Sequence, residues 1–147
     1  MKVLSLFDGI SCGKVALDRA GINVSHYVAS EIDKHAIQIS KNNHPDIEHI
    51  GDVTKLTFQP NHFDLLIGGS PCQGFSFAGK GLNFEDERSK LFFEYVRILN
   101  EVKPKFFLLE NVVMKQEFQD VISEYLGVKP IKINSALVSA QNRERLY

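Results

Sequence analysis

The sequence predicts an α/β domain built on a mostly parallel sheet with helices on both faces. Three observations predict it. Short apolar runs alternate with amphipathic segments along the chain. Gly21, Pro45, Pro104 and Gly127 fall where the helical segments must stop. Each apolar run then leads into glycine or polar residues, as in sheets whose carboxyl ends carry the site.

The elements follow in order. Residues 3–7 read as a buried strand. Residues 12–20 read as a helix with Val15, Ala16 and Leu17 inward and Gly21 as its stop. A second strand spans 27–30. A helix over 33–42 has Asp33 as N-cap and ends at Asn43-His44-Pro45. Strands follow at 47–50 and 63–67. Residues 89–102 place Leu91, Phe92, Tyr95, Ile98 and Leu99 on one helical stripe, closed by Lys103-Pro104. A fifth strand covers 106–109 and a helix covers 117–126. A sixth strand covers 131–134.

At 147 residues, one domain spanning 1–147 is expected. A hydrophobic fraction of 44% and a charged fraction of 24% describe a soluble globular domain. A net charge of −1 excludes a bulk electrostatic footprint for nucleic acid, although a neutral total is compatible with a local basic cleft. No apolar run approaches a membrane span, and Asp8 falls too early for a signal peptide. Cys12 and Cys72 have no metal-ligand spacing. His26, His35, His44, His49 and His62 are scattered, so they read as surface or loop residues and no metal is expected. Two free thiols suit a reducing cytoplasm.

The polar clusters carry chemistry. Phe7-Asp8-Gly9-Ile10-Ser11-Cys12-Gly13 is a glycine turn entering a helix, where backbone can approach a ligand closely. An ordinary tight turn fits it equally well. Glu31 follows the second strand, where an acid grips ribose hydroxyls or caps a turn. Asp52 follows the third, placed to accept from an adenine amine or to cap. Together they outline a pocket for an adenosine ligand. The missing pyrophosphate glycines favour one without phosphates, which disfavours a dinucleotide-dependent oxidoreductase.

Gly69-Ser70-Pro71-Cys72-Gln73-Gly74-Phe75-Ser76 puts a thiol in a glycine-flanked turn behind an apolar strand. Such a cysteine is either structural or, activated as thiolate, a nucleophile. Glu110 ends the apolar strand 106–109, where a carboxylate must be used or paired. Partial burial would raise its pKa and suit it to donate a proton. Arg143 and Arg145, at i and i+2 of an extended segment, point the same way. They would hold an anion or base carbonyl, or form a solvated edge strand.

This ordered set, from Phe-Asp-Gly-Ile-Ser-Cys-Gly through Pro-Cys-Gln and Glu110-Asn111-Val112 to Gln-Asn-Arg-Glu-Arg, resembles the DNA (cytosine-5) methyltransferases over almost the whole chain. The resemblance implies a Rossmann-like, S-adenosylmethionine-dependent methyltransferase fold. By position, Phe7 would pack on the adenine and the turn Asp8, Gly9, Ile10 and Ser11 would line the methionine end. Glu31 would bind the ribose, Ile32 would cover the adenine, and Asp52 and Val53 would position it, with Pro71 and Leu91 at the border. Cys72 would attack carbon 6 of a flipped cytosine, and Glu110 would bind its ring nitrogen 3 and amine. Asn111 would hold the loop, Arg145 the cytosine O2, and Arg143 would support Cys72. Gln73, Ser76 and Arg88 would contact DNA, the last two from a loop over residues 74–88.

The family's glycine pair in the first turn is replaced here by Ser11-Cys12. Family members also continue beyond the matched region with a target-recognition part. The expectation is therefore a C-terminally truncated or split catalytic portion of a prokaryotic or phage restriction-modification type enzyme, cytoplasmic, acting on double-stranded DNA. A complementary chain would supply the base-reading surface, and the chain alone would show little site-specific methylation. The non-enzymatic alternative is a remnant that binds S-adenosylmethionine or a partner without turnover.

Overall fold

The computed structural model describes residues 1–71 and 87–147, with side chains from Lys90 onward in the second stretch. Cys72, Gln73, Ser76 and the Arg88 side chain therefore lie outside the described residues.

The element order is β1 (Lys2–Leu6), α1 (Cys12–Arg19), β2 (His26–Ser30), α2 (Lys34–Asn43), β3 (Glu48–His49), a 3-10 turn (Val53–Lys55) and β4 (Leu65–Gly68). Then come α3 (Glu87–Val102), β5 (Phe106–Leu109), β6 (Asn111–Val112), α4 (Gln116–Leu126), β7 (Lys132–Asn134) and β8 (Glu144–Leu146). Five strands form a sheet in the order β3-β2-β1-β4-β5, and each neighbouring pair is parallel. Strand order reverses between β1 and β4, which opens a crevice at their carboxyl ends.

Side chains alternate across this sheet, so each strand feeds two cores. Leu4, Leu6, Val28 and Leu66 pack with Phe92, Tyr95, Ile98 and Val102 of α3. Val3, Tyr27, Ala29, Leu65 and Ile67 pack on the other side with Leu17 of α1. Each fully buried large side chain contributes about 1.5–3 kcal/mol, and Leu4, Leu66, Phe92 and Ile98 are all fully buried. Capping follows the sequence: Asp33 accepts from the N–H groups of His35 and Ala36, and Gly127 closes α4 at φ 71.

Two expectations change. In α1 only Leu17 is buried, Val15 is half-buried and Ala16 is exposed, because an eight-residue helix turns a narrow stripe inward. The run at 131–134 does not join the parallel sheet. It forms β7 of a separate antiparallel sheet, β6-β8-β7, whose members β6 and β8 are two and three residues long. Elements that short carry almost no periodicity. The apolar run 106–109 is the fifth strand as expected, and it lies at the sheet's edge, with Phe106 60% and Leu108 46% exposed.

Candidate active site

Five strand ends converge on one edge. After β1, Phe7, Gly9 and Ser11 all take positive φ, at 55, 61 and 66. This returns the chain sharply into α1. Gly13 admits the first helical turn against the sheet: a Cβ there would sit 2.4 Å from Ile67 Cδ1 and 2.9 Å from the Tyr27 hydroxyl. Gly9 and Gly51 instead face open space, with nothing within 4 Å of a built Cβ.

Glu31 ties this edge together. Its Oε2 accepts from Gly9 N at 2.8 Å, and its Oε1 accepts from Ile32 N and Asp33 N at 2.7 and 2.9 Å. Three of roughly four carboxylate acceptor sites are filled, leaving room for one further donor. Ile32 beside it is 72% exposed, although nothing apolar covers it among the described residues. Asp52 accepts from Thr54 N at 3.0 Å and from the Thr54 hydroxyl at 2.8 Å. Those bonds hold its carboxyl below the usual carboxylate range. Val53 is buried in the larger core, so only its backbone reaches the edge. Phe7 and Leu91 are half-buried against that core, and Ile10 is exposed.

Beneath the turn, Asp8 accepts from the Tyr27 hydroxyl at 2.8 Å and from the Ser11 hydroxyl. Burial, and then the Asp8 charge, push the Tyr27 phenol well above its usual range. Arg97 of α3 donates to the Val53 and Leu56 carbonyls at 3.1 and 3.0 Å while paired with Glu94 and Glu101. It thereby fixes the 3-10 turn that follows Asp52.

The β4 and β5 ends form the other half. Glu110 N donates to Gly68 O at 2.8 Å. A Cβ on Gly69 would lie 3.0 Å from Glu110 Oε2, so the carboxylate rests on the backbone two residues before Pro71. Asn111, buried, reaches Ser70 Oγ at 3.5 Å and accepts from Val112 N at 2.8 Å, which links the two strand ends. Arg145 Nε lies 3.0 Å and Arg143 Nη2 3.9 Å from Glu110 Oε1. Both arginines thus face the same carboxylate. Arg145 Nε is buried and has no aligned hydrogen-bond acceptor among the described residues, so its 3.0 Å approach to Glu110 is an ion pair alone. Pro71 is exposed and leads directly to Cys72.

Sequence reasoning named Asp8, Glu31, Asp52, Glu110 and the arginines, and the structure brings them to one edge in two groups. It missed Tyr27, Ser40, His49, Ser70 and Arg97. His49 is half-buried in β3 and not in a loop, and its Nε2 lies 3.1 Å from the buried Ser40 hydroxyl. The available signal was its place two residues before Gly51-Asp52. Among the described residues no cluster of three or more His, Cys, Asp or Glu could hold a metal, and no helix is long and apolar enough to cross a membrane.

Comparison with known proteins gives this geometry its family. The family model of the C-5 cytosine-specific DNA methylases matches residues 1–125. The orphan methyltransferase M.SPRI of Bacillus phage SPR is 40% identical across the whole chain, which spans 37% of that protein. The type II methyltransferase M1.ScrFI of Lactococcus lactis subsp. cremoris is 41% identical over 99% of the chain and 40% of its own length. A prophage-encoded E. coli protein assigned as a DNA modification methyltransferase superposes with a TM-score of 0.78 at 29% identity, covering 99% of this chain and 45% of that one. The S. pombe Dnmt2 methyltransferase shares the fold, with a TM-score of 0.75 at 24% identity, covering 99% of this chain and 49% of its own. The chain thus spans less than half the length of these relatives.

Proposed function

The chain belongs to the C-5 cytosine-specific DNA methylase family, and on that premise we propose that it carries the cofactor-binding and catalytic portion of an enzyme that methylates carbon 5 of cytosine in double-stranded DNA. The observation that carries this reading is the placement of Glu110 on the Gly69 backbone with Arg145 and Arg143 facing it. An acid and two cations meet at one strand end, beside Gly69, which lies two residues before Pro71.

The first turn fits S-adenosylmethionine. Gly9 and Gly51 leave space for a ligand. Glu31 retains an acceptor site for a ribose hydroxyl, Ile32 is free to cover an adenine and Asp52 is poised to accept from its amine. When bound, the cofactor supplies an electrophilic methyl group.

The chain's own residues do the rest. Cys72, as thiolate, adds to carbon 6 of a cytosine turned out of the duplex. Glu110 hydrogen-bonds nitrogen 3 and the exocyclic amine, steadying the charge that the addition pushes into the ring. Arg145 binds O2, and Arg143 supports Glu110 and Cys72. Carbon 5, made nucleophilic, takes the methyl. Loss of its proton to a base then expels the Cys72 sulfur and restores the aromatic ring. Asn111 keeps the strand ends in register through Ser70. Gln73, Ser76 and Arg88 contact the DNA around the flipped base.

The reading includes a further polypeptide. The open β5 edge and α4 bound an apolar groove of about 430 Å³, lined by Phe106, Leu108, Met114, Ile122, Ile131 and Leu146. An edge and groove of this kind suit a strand-bearing chain that completes the sheet and brings the base-reading surface. The setting is a bacterial or phage-infected cytoplasm, where such DNA is found.

Covalent trapping tests the proposal. On DNA containing 5-fluorocytosine and in the presence of S-adenosylmethionine, carbon 5 has no proton to lose, so the Cys72 adduct persists. Cys72→Ser should abolish the adduct while S-adenosylmethionine binding, read by calorimetry, is unchanged. An adduct that survives the substitution excludes Cys72 as the nucleophile.

A further inference from the structure

Ser11 holds the left-handed conformation, at φ 66. That region is unfavourable for a residue with a side chain and persists only where the surroundings enforce it. The surroundings are a run of polar groups, buried at its centre and half-buried at its ends. Ser11 Oγ donates to Asp8 Oδ2 and lies 2.6 Å from Ser40 Oγ of α2, which lies 3.1 Å from His49 Nε2 of β3. Ser11 and Ser40 are fully buried.

Counting protons fixes the direction of every bond. A serine hydroxyl has one proton to donate. Ser11 gives its proton to Asp8, so Ser40 must donate to Ser11. Ser40 then offers His49 only lone pairs, so His49 must donate from Nε2. The neutral ring therefore has a bare Nδ1, and that atom is buried without a partner among the described residues. Any other tautomer would bury an unpaired N–H there and leave Ser40 without its donor.

We infer that Ser11, Ser40 and His49 are positioning residues: a one-way relay from His49 through Ser40 and Ser11 to Asp8 that locks the first turn in the shape that receives the cofactor. The inference rests on the proposed cofactor role of that turn. The relay does for Ser11 what the absence of a side chain does for glycine, and it makes the turn depend on α2 and β3.

A double-mutant cycle tests it on the 147-residue chain, with S-adenosylmethionine binding read by calorimetry. Ser40→Ala should weaken binding about three- to tenfold, the range one lost hydrogen bond spans. Glycine adopts the left-handed region unaided, so in the Ser11→Gly background Ser40→Ala should change binding little. Equal losses in both backgrounds overturn the relay. A wild-type chain that binds no S-adenosylmethionine refutes the cofactor reading alone. The relay is then decided by nitrogen-15 NMR of His49 at neutral pH: a proton on Nε2 supports it, and a proton on Nδ1 overturns it.

Discussion

The two halves of the site are built differently. The cofactor half hangs on β1, β2 and β3, neighbours in one parallel sheet. Most of its polar groups satisfy close neighbours in the chain, Glu31 with Ile32 and Asp33 and Asp52 with Thr54, while Glu31 also reaches across to Gly9. The catalytic half joins β4 and β5 to a second sheet. Glu110 takes its cations from β8 and the residues before it, across an edge whose apolar side chains face a groove. The difference teaches that the proposed cofactor half is held within one sheet, whereas the proposed catalytic half leans on short strands beside an apolar groove.

Glu110→Gln should break that division most sharply. It keeps the shape but removes the charge that faces both arginines. Adduct formation on 5-fluorocytosine DNA should fall about a hundredfold or more, with S-adenosylmethionine affinity unchanged. A parallel loss of affinity would show that the halves are not separate.

Gly69→Ala should act on the catalytic half alone, and less severely. The new Cβ lies 3.0 Å from Glu110 Oε2, the far end of a flexible side chain. Thermal stability should barely change while adduct formation drops about tenfold, because a displaced carboxylate is a misaligned one. Unaltered trapping would mean that Glu110 works from another position.

The smallest effect belongs to the cofactor half and to acid. Burial holds His49 below its ordinary 6.5, against the opposing pull of Asp8 and with Lys41 adding to the shift; the Glu31 charge also opposes it. The folded state therefore binds this proton less readily than the unfolded chain. Its contribution to stability is whole above 6.5 and declines as pH falls through the depressed folded value. His49→Gln, whose amide still donates to Ser40, should flatten the dependence of melting temperature on pH between about 7 and 5. An unchanged slope would place the acid sensitivity in the carboxylates instead, where Asp33, Asp52 and Asp64 also sit below their usual range.

The sequence by itself determined the parallel α/β core and the polar residues that follow its strands. Alternating apolar runs, Asp33 as a cap, Gly127 as a stop and the polar residues after each strand are local signals, and local chemistry reads them. The arginine pair was legible as well, because two residues apart on an extended chain means one direction. Only the tertiary structure decided that β7 belongs to a second sheet and that residues 106–109 form an exposed edge, since short strands and apolar runs look alike whatever they pair with. It alone joined Tyr27, Asp8, Ser11, Ser40 and His49 into one run of hydrogen bonds. Those residues come from three separate stretches of the chain, and a lone serine or histidine announces nothing until folding brings its partner within 3 Å or so.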